Sequence, residues 1–133
     1  IIIVGTPTWS QDVDLASKDK ITGCDNIMYA LHFYAATHKQ WLRDKAQTAI
    51  NNGSALFVSE FSICDASGNG GIDINEANKW MEFLNKNNIS YVGWNLSNKA
   101  ETSAMFQSWC GKISGFDDSE LTEWAKWLRS VIK

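Results

Sequence analysis

The stretch Ala55-Leu56-Phe57-Val58-Ser59-Glu60-Phe61 sets the fold of this 133-residue chain. It is a short run of strand-favouring apolar residues that closes on one carboxylate. Near-continuous apolar runs of this kind mark strands buried on both faces of a parallel sheet. The chain then enters Ser62-Ile63-Cys64-Asp65-Ala66-Ser67-Gly68-Asn69-Gly70-Gly71, a glycine-rich loop. Barrel and open α/β folds place their chemistry at the C-terminal ends of such strands. The plainer reading of Glu60 is a solvated carboxylate, or one paired with a cation.

The same succession of apolar run, loop and helix recurs on both sides. Upstream, Ile1-Ile2-Ile3-Val4-Gly5 is a β-branched run with no polar lead-in, which predicts further sequence ahead of Ile1. A loop over Thr6 to Ser10 and a weak helix over Gln11 to Ser17 follow. Asp25 and Asn26 lead into a second strand, Ile27 to Tyr34, which ends on His32 and Tyr34 with His38 in the loop beyond. Leu42, Ala46, Ala49 and Ile50 share one face of a helix predicted over Lys39 to Asn52. Gly53 is its stop.

Downstream of the glycine-rich loop, Asp73 caps a helix, with Glu76 three residues on in the manner of a capping box. Ala77, Trp80, Met81 and Leu84 form its buried stripe, and Asn85 to Asn88 ends it. A fourth strand is expected over Ile89 to Ser97, with Lys99 and Glu101 just past it. A long irregular segment carries Trp109, Cys110 and Gly115. Asp117, with Glu120 at the third position, is the expected cap of a last helix with Leu121, Trp124, Ala125, Leu128 and Val131 facing inward.

Strands starting near residues 1, 26, 55 and 89 repeat at roughly 25–35 residues, the period of βα units in a parallel sheet. Four units make either an open α/β sheet or one half of an eightfold TIM barrel. Two features favour the half barrel. Every strand ends in polar or aromatic groups, as a ring of loops around one site requires. No GxGxxG or GxxxxGK[ST] follows the first strand, and the glycines of 68–71 lack the phosphate-loop lysine.

Composition narrows the function. Hydrophobic content of 44% and seven Trp support a real core. No run approaches the roughly 20 apolar residues of a membrane span, and no signal-peptide pattern opens the chain. The net charge is -3 with scattered basic residues, so there is no electrostatic footprint for nucleic acid. An aromatic content of 12% suits a neutral, flat-faced ligand such as a sugar. Core packing is the commoner use of any one Trp, and Trp41, Trp80, Trp124 and Trp127 are read that way. Cys24, Cys64 and Cys110 form no CxxC pair, and no metal or cofactor motif is found. Cys64 and Cys110 both follow strands and would pair if close; Cys24 lies at the opposite end. Asn52-Gly53-Ser54, Asn88-Ile89-Ser90 and Asn95-Leu96-Ser97 match the glycosylation pattern.

On parallel strands the C-terminal ends converge, so His32, Tyr34, Glu60 and Trp94 are expected around one mouth. Hydrogen bonds orient a carboxylate beside a phenol and an imidazole, and Trp94 offers a floor for a sugar ring. A retaining glycosidase nucleophile is equipped in this way, and it needs a second carboxyl about 5–5.5 Å away as acid/base. Four motifs are matched in order and spacing: Ile2-Ile3-Val4-Gly5-Thr6-Pro7-Thr8-Trp9-Ser10-Gln11-Asp12, Leu31-His32-Phe33-Tyr34-Ala35-Ala36-Thr37-His38, Val58-Ser59-Glu60-Phe61 and Trp94-Asn95-Leu96-Ser97-Asn98-Lys99-Ala100-Glu101. Through them the chain resembles the C-terminal half of a family 5 glycoside hydrolase, of the bacterial and anaerobic-fungal endoglucanase type.

The resemblance implies that Glu60 is the nucleophile. His32 and Tyr34 then line the pocket of the cleaved sugar, with the Tyr34 phenol on the nucleophile. Trp94 is the platform for the sugar that becomes covalently bound. Lys99 and Glu101 contact hydroxyls on the non-reducing side, Trp9 is an aromatic contact on the leaving-group side, and Ala66 lies where the loop after strand seven meets substrate. Residues 1–133 would be one part of a catalytic domain, needing no cofactor or metal. Two departures stand out. Ser62 occupies a place where the family usually has Gly, and the family's Asn-Glu-Pro motif is absent, the one proline being Pro7. The acid/base must then come from an N-terminal half, since neither Asp65 nor Glu101 is read as replacing it. The implied protein is a secreted endo-β-1,4-glucanase acting on cellulose or a related β-glucan. The alternatives are a half barrel that folds by dimerisation and at most binds sugar, or a mannanase or xylanase.

Overall fold

The computed structural model describes residues 1–132. Its parallel strands β1 (Ile2–Val4), β2 (Ile27–Tyr34), β3 (Leu56–Ser62) and β4 (Tyr91–Gly93) lie side by side in chain order. Between them run α1 (Pro7–Ser10), α2 (Val13–Ala16), α3 (Gln40–Asn51) and α4 (Ile74–Lys86), and α5 (Glu123–Val131) follows β4. Leu31 and Phe33 of β2 and Val58 and Phe61 of β3 are fully buried with Leu42, Ala46, Ala49, Ala77, Trp80 and Leu84 of the helices. Trp80 stacks on Phe33 at 4.0 Å between ring centroids, Phe33 on Phe61 at 5.0 Å, and Trp124 meets Phe61 edge-on at 5.2 Å. Each such pair adds about 0.5–1.5 kcal/mol beyond its area burial.

One residue of β3 is extra. Leu31 pairs with Val58 but His32 pairs with Glu60; on the other side Val58 pairs with Tyr91 and Phe61 with Gly93. Both registers slip at a bulge around Ser59. Strict alternation would put Glu60 on the helix-facing side with Leu56 and Val58. The bulge instead sends Phe61 into the core opposite Phe33 and swings Glu60 beside His32. Re-aiming a side chain next to a site is a recurrent use of such bulges.

The long helices stop as their sequences predict. At the end of α3, Ser54 N donates to Ala49 O (3.0 Å) and Gly53 N to Ile50 O (2.8 Å), with Gly53 at φ 76°. Asn88, at φ 53°, plays the same part after α4, where Ile89 N reaches Leu84 O at 2.9 Å. These are Schellman closures, and Asn is the usual substitute for Gly there. Asp73 caps α4 by accepting from Glu76 N at 3.0 Å. The return half of the capping box is not made. The Glu76 carboxylate accepts instead from Arg43 Nη2 (2.9 Å) and Lys79 Nζ (2.6 Å), which ties α4 to α3.

Several expectations are corrected. The strand expected over Ile89–Ser97 is β4, paired only at Tyr91–Gly93. Past it the backbone folds onto the next loop, Asn95 N donating to Ser103 O at 2.8 Å and Met105 N to Asn95 O at 3.0 Å. The last helix begins at Glu123 and is capped by Thr122, not Asp117. Asp117 and Glu120 close a turn of their own, the Glu120 carboxylate accepting from Asp117 N and Lys112 Nζ, both at 2.9 Å. Leu121 therefore lies before the helix. The weak helix of 11–17 shrinks to α2. Trp80, Trp124 and Trp127 are buried, whereas Trp41 keeps 45% of its surface open. All three cysteines are free: Cys64 donates to Ser62 Oγ at 3.5 Å and Cys110 to Glu120 Oε1 at 3.9 Å. Among the described residues no helix is long and apolar enough to cross a membrane.

Candidate active site

Two side chains approach Glu60. Tyr34 Oη donates to its Oε1 at 2.7 Å. The His32 Nδ1 lies 3.7 Å from Oε2, too long for a hydrogen bond, while His32 Nε2 meets Ser59 Oγ at 2.8 Å. Burial lowers the His32 pKa, and the Glu60 charge only partly opposes it. The imidazole is therefore neutral at pH 7, and its contact with Glu60 is not a salt bridge. Burial, then the hydrogen bond and charge of Glu60, push the Tyr34 phenol far above its ordinary value, so it remains a donor.

A tight turn adds His38. Thr37 N and His38 N both donate to Tyr34 O, at 3.0 and 2.7 Å, which folds His38 back so that its Nδ1 accepts from Tyr34 N at 2.8 Å. Trp80 Nε1 anchors the turn by donating to His38 O at 2.7 Å. Burial lowers the His38 pKa against the pull of Asp65. Protonating Nδ1 would set two donors face to face, so the geometry also selects the neutral ring.

Trp9, Gln11, His32, Tyr34, His38, Glu60 and Ala66 line one cavity of about 370 Å³. Five of these were expected from the sequence. Ala66 is placed by Thr37, whose Oγ1 accepts from Ala66 N at 3.0 Å and donates to Asp65 Oδ2 at 2.8 Å. Trp9, 83% exposed, sits on a turn where Thr8, Trp9 and Ser10 all have positive φ, 54°, 50° and 61°. Gln11, His38 and Ser59 are additions. Spacing alone gave one signal for them, His38 standing four residues past Tyr34, within reach of a turn.

Trp94, Lys99 and Glu101 do not line this cavity. Trp94 follows β4, its N–H donating to Phe61 O at 2.8 Å, and its peptide bond to Asn95 is cis. Glu101 Oε2 pairs with Lys99 Nζ at 2.7 Å, and its Oε1 accepts from Ser103 Oγ at 3.0 Å and Asn95 Nδ2 at 3.2 Å. Lys99 is the main cause of its lowered pKa. Asp65 is also held low, first by the Ser67 N–H and then by Thr37. Ser62, which stands where the family usually has Gly, is a strand residue paired with Tyr34. Among the described residues no second carboxylate lines the cavity.

Glu60 is thus an oriented carboxylate with one oxygen held by a phenol, in a cavity walled by aromatic and neutral polar groups at the loop-bearing ends of parallel strands. Four βα units with a site in that position define half of a (β/α)8 barrel, its C-terminal strands five to eight. The sequence profile of the cellulase family, glycosyl hydrolase family 5, matches residues 1–100. An endoglucanase of Clostridium saccharobutylicum is 50% identical over 122 residues, which are 92% of this chain and 27% of the relative. A solved structure from Cytophaga hutchinsonii superposes with a TM-score of 0.94 at 46% identity, over 98% of this chain and 42% of that one. The catalytic domain of a Thermobifida fusca endoglucanase, solved in complex with cellotetraose, superposes with a TM-score of 0.83 at 28% identity, over 98% of this chain and 45% of that one. The chain belongs to glycosyl hydrolase family 5. It spans 27% of the length of the Clostridium relative and 30% of a Butyrivibrio fibrisolvens endoglucanase.

Proposed function

We propose that this chain is the nucleophile-bearing part of the catalytic domain of a retaining endo-β-1,4-glucanase. The observation that carries the reading is the 2.7 Å bond from Tyr34 Oη to Glu60 Oε1 at the cavity. It leaves Oε2 to attack the anomeric carbon as the bond to the leaving sugar breaks. A carboxyl group of an N-terminal half protonates the leaving oxygen. The same group then takes a proton from the water that cleaves the glycosyl ester. A general acid needs a raised pKa; Asp65 and Glu101 are both held below the usual carboxylate range, which argues for an outside partner.

The sheet edges support the same reading. Ile2 on β1 and Val92 on β4 are 51% and 52% exposed, as strands that lack a neighbour would be. Trp9 and Ala66 contact the chain on the cavity side. Trp94, Lys99 and Glu101 hold the non-reducing-side sugars, the Lys99–Glu101 pair presenting fixed donors and acceptors to hydroxyls. Endoglucanase relatives and a neighbour bound to cellotetraose favour a β-1,4-glucan over mannan or xylan. A polymer of that size is met outside the cell, so we place the protein there as a secreted enzyme.

The test is complementation. Co-expressed with the N-terminal half of the Clostridium saccharobutylicum relative, the chain is expected to form a one-to-one complex on native mass spectrometry that hydrolyses carboxymethylcellulose, and Glu60→Gln to abolish the activity. Hydrolysis by the 133-residue chain alone would overturn the need for a partner carboxyl. An inactive but correctly assembled complex would overturn the glucanase reading.

A further inference from the structure

Trp41 lies in the first turn of α3 and, unlike Trp80, Trp124 and Trp127, is not packed away: 45% of its surface is open. Its ring meets His38 edge-on at 5.6 Å between centroids, and the His38 and Tyr34 rings are 6.4 Å apart. The rings of Tyr34, His38 and Trp41 therefore form a row of successive neighbours, with Tyr34 bonded to Glu60 at one end and the half-exposed Trp41 at the other.

Lys45, one turn along α3, joins this row to the Trp9 turn. Its Nζ lies 5.7 Å from the Trp41 ring centroid and 2.5 Å from Asp12 Oδ1. The other Asp12 oxygen accepts from Thr8 Oγ1 at 2.5 Å. Thr8, Trp9 and Ser10 hold left-handed backbone that side-chain-bearing residues avoid. Such conformations persist only where surrounding bonds over-determine them, and they gather at ligand sites. One ammonium thus fixes the turn that presents Trp9 and braces the ring of Trp41. Lys45 lies between two carboxylates, Asp12 at 2.5 Å and Asp14 at 3.9 Å, so its charge is taken up within the wall and the two indoles offer apolar faces to an uncharged ligand.

The geometry points to a second aromatic subsite: Trp41, braced with Trp9 by Lys45, stacks a further sugar on the leaving-group side of a β-glucan chain. Lys45 is its positioning residue. The inference rests on the proposed glucanase reading and extends it by one sugar.

The experiment compares two substrates in the complemented barrel: cellohexaose, and a nitrophenyl cellobioside whose leaving group carries no sugar. Trp41→Ala is expected to raise KM for cellohexaose about fivefold, the scale of one aromatic stacking contact, with kcat unchanged and the aryl cellobioside unaffected. Trp41→Phe retains most of the affinity. Lys45→Met reproduces the cellohexaose effect, and Lys45→Arg, which keeps a cation for Asp12, restores it. An unchanged cellohexaose KM in Trp41→Ala overturns the subsite. Equal losses on both substrates also overturn it, because Trp41 would then serve only to hold His38. If the wild-type complex turns over neither substrate, it is the glucanase reading that fails, and this inference falls with it.

Discussion

Removing the Tyr34 hydroxyl leaves Glu60 Oε1 without its 2.7 Å donor. A hydrogen bond to a charged group contributes about 1.5–3 kcal/mol. Tyr34→Phe is therefore expected to lower kcat of the complemented barrel roughly 10- to 150-fold, read from initial rates on cellohexaose. His38 governs a different observable at the same scale. Its folded pKa lies below the ordinary 6.5 because the ring is buried. An unfolded chain then binds the proton more readily in the window just below 6.5, so the stability this residue contributes is full above that value and is lost as pH falls through the folded pKa. The slope is at most about 1.4 kcal/mol per pH unit for one histidine. His32 is shifted in the same direction. The melting temperature should fall on acidification below about pH 6.5, and less steeply in His38→Gln. Glu60, Tyr34 and His32 were legible because each ends an apolar run. The part played by His38 was not, because it depends on a turn about Tyr34 that brings Nδ1 onto the backbone.

Among the elements, β3 shows what periodicity holds and what a first reading of it misses. Leu56 and Val58 are two apart, Phe61 and Ile63 are two apart, and the phase slips between Val58 and Phe61. That slip is the bulge, written in the sequence but hidden in a run that reads as continuously apolar. Deleting Ser59 removes the extra residue and makes the strand regular, with Glu60 directly after Val58 and still facing away from the helices. Phe61 then stays opposite Phe33, so the deletion is expected to keep the fold but to lower activity of the complemented barrel, because the bend at the bulge that aims Glu60 at Tyr34 is lost. Ser59→Ala keeps the residue count and should melt close to wild type, the two being compared by circular dichroism. The ends of β4 and α5 were misread for another reason. Asp117 and Thr122 are both competent caps, and the choice falls to Thr122 because its hydroxyl donates to Ala104 O at 2.7 Å and its N–H to Met105 O at 3.0 Å, which pins the helix start there. Partners that distant in sequence cannot be ranked by local propensity. Gly93 marks the docking of α5 on β4, for a Cβ there would lie 2.9 Å from Leu128 Cδ2 and 3.0 Å from Trp124 Cζ2.

At the scale of the molecule, repeated βα spacing allowed an open sheet or half a barrel; the polar strand ends and the missing phosphate-loop motif favoured half a barrel, and a TM-score of 0.94 over 42% of a solved neighbour agrees. Spacing could not divide the site. It gathered Trp94 with Glu60 because both follow strands, whereas the structure sets a cavity on the Trp9 side and a separate Trp94–Lys99–Glu101 group on the loop after β4. Division of that kind suits a long ligand that crosses the mouth from one loop to another.

The two outer edges of the sheet are unlike: β1 shows one backbone rim and β4 the other. Copies of this chain that continue the parallel sheet by meeting β1 to β4 do so heterologously, the front of one against the back of the next. Such contacts close into a ring when each copy turns the sheet through a whole fraction of a circle, half a circle giving a ring of two. At any other curvature the series continues as an open filament. Whether the chain stays dispersed without an N-terminal half is then decided by an angle, the coiling of four strands, and far less by its surface charge.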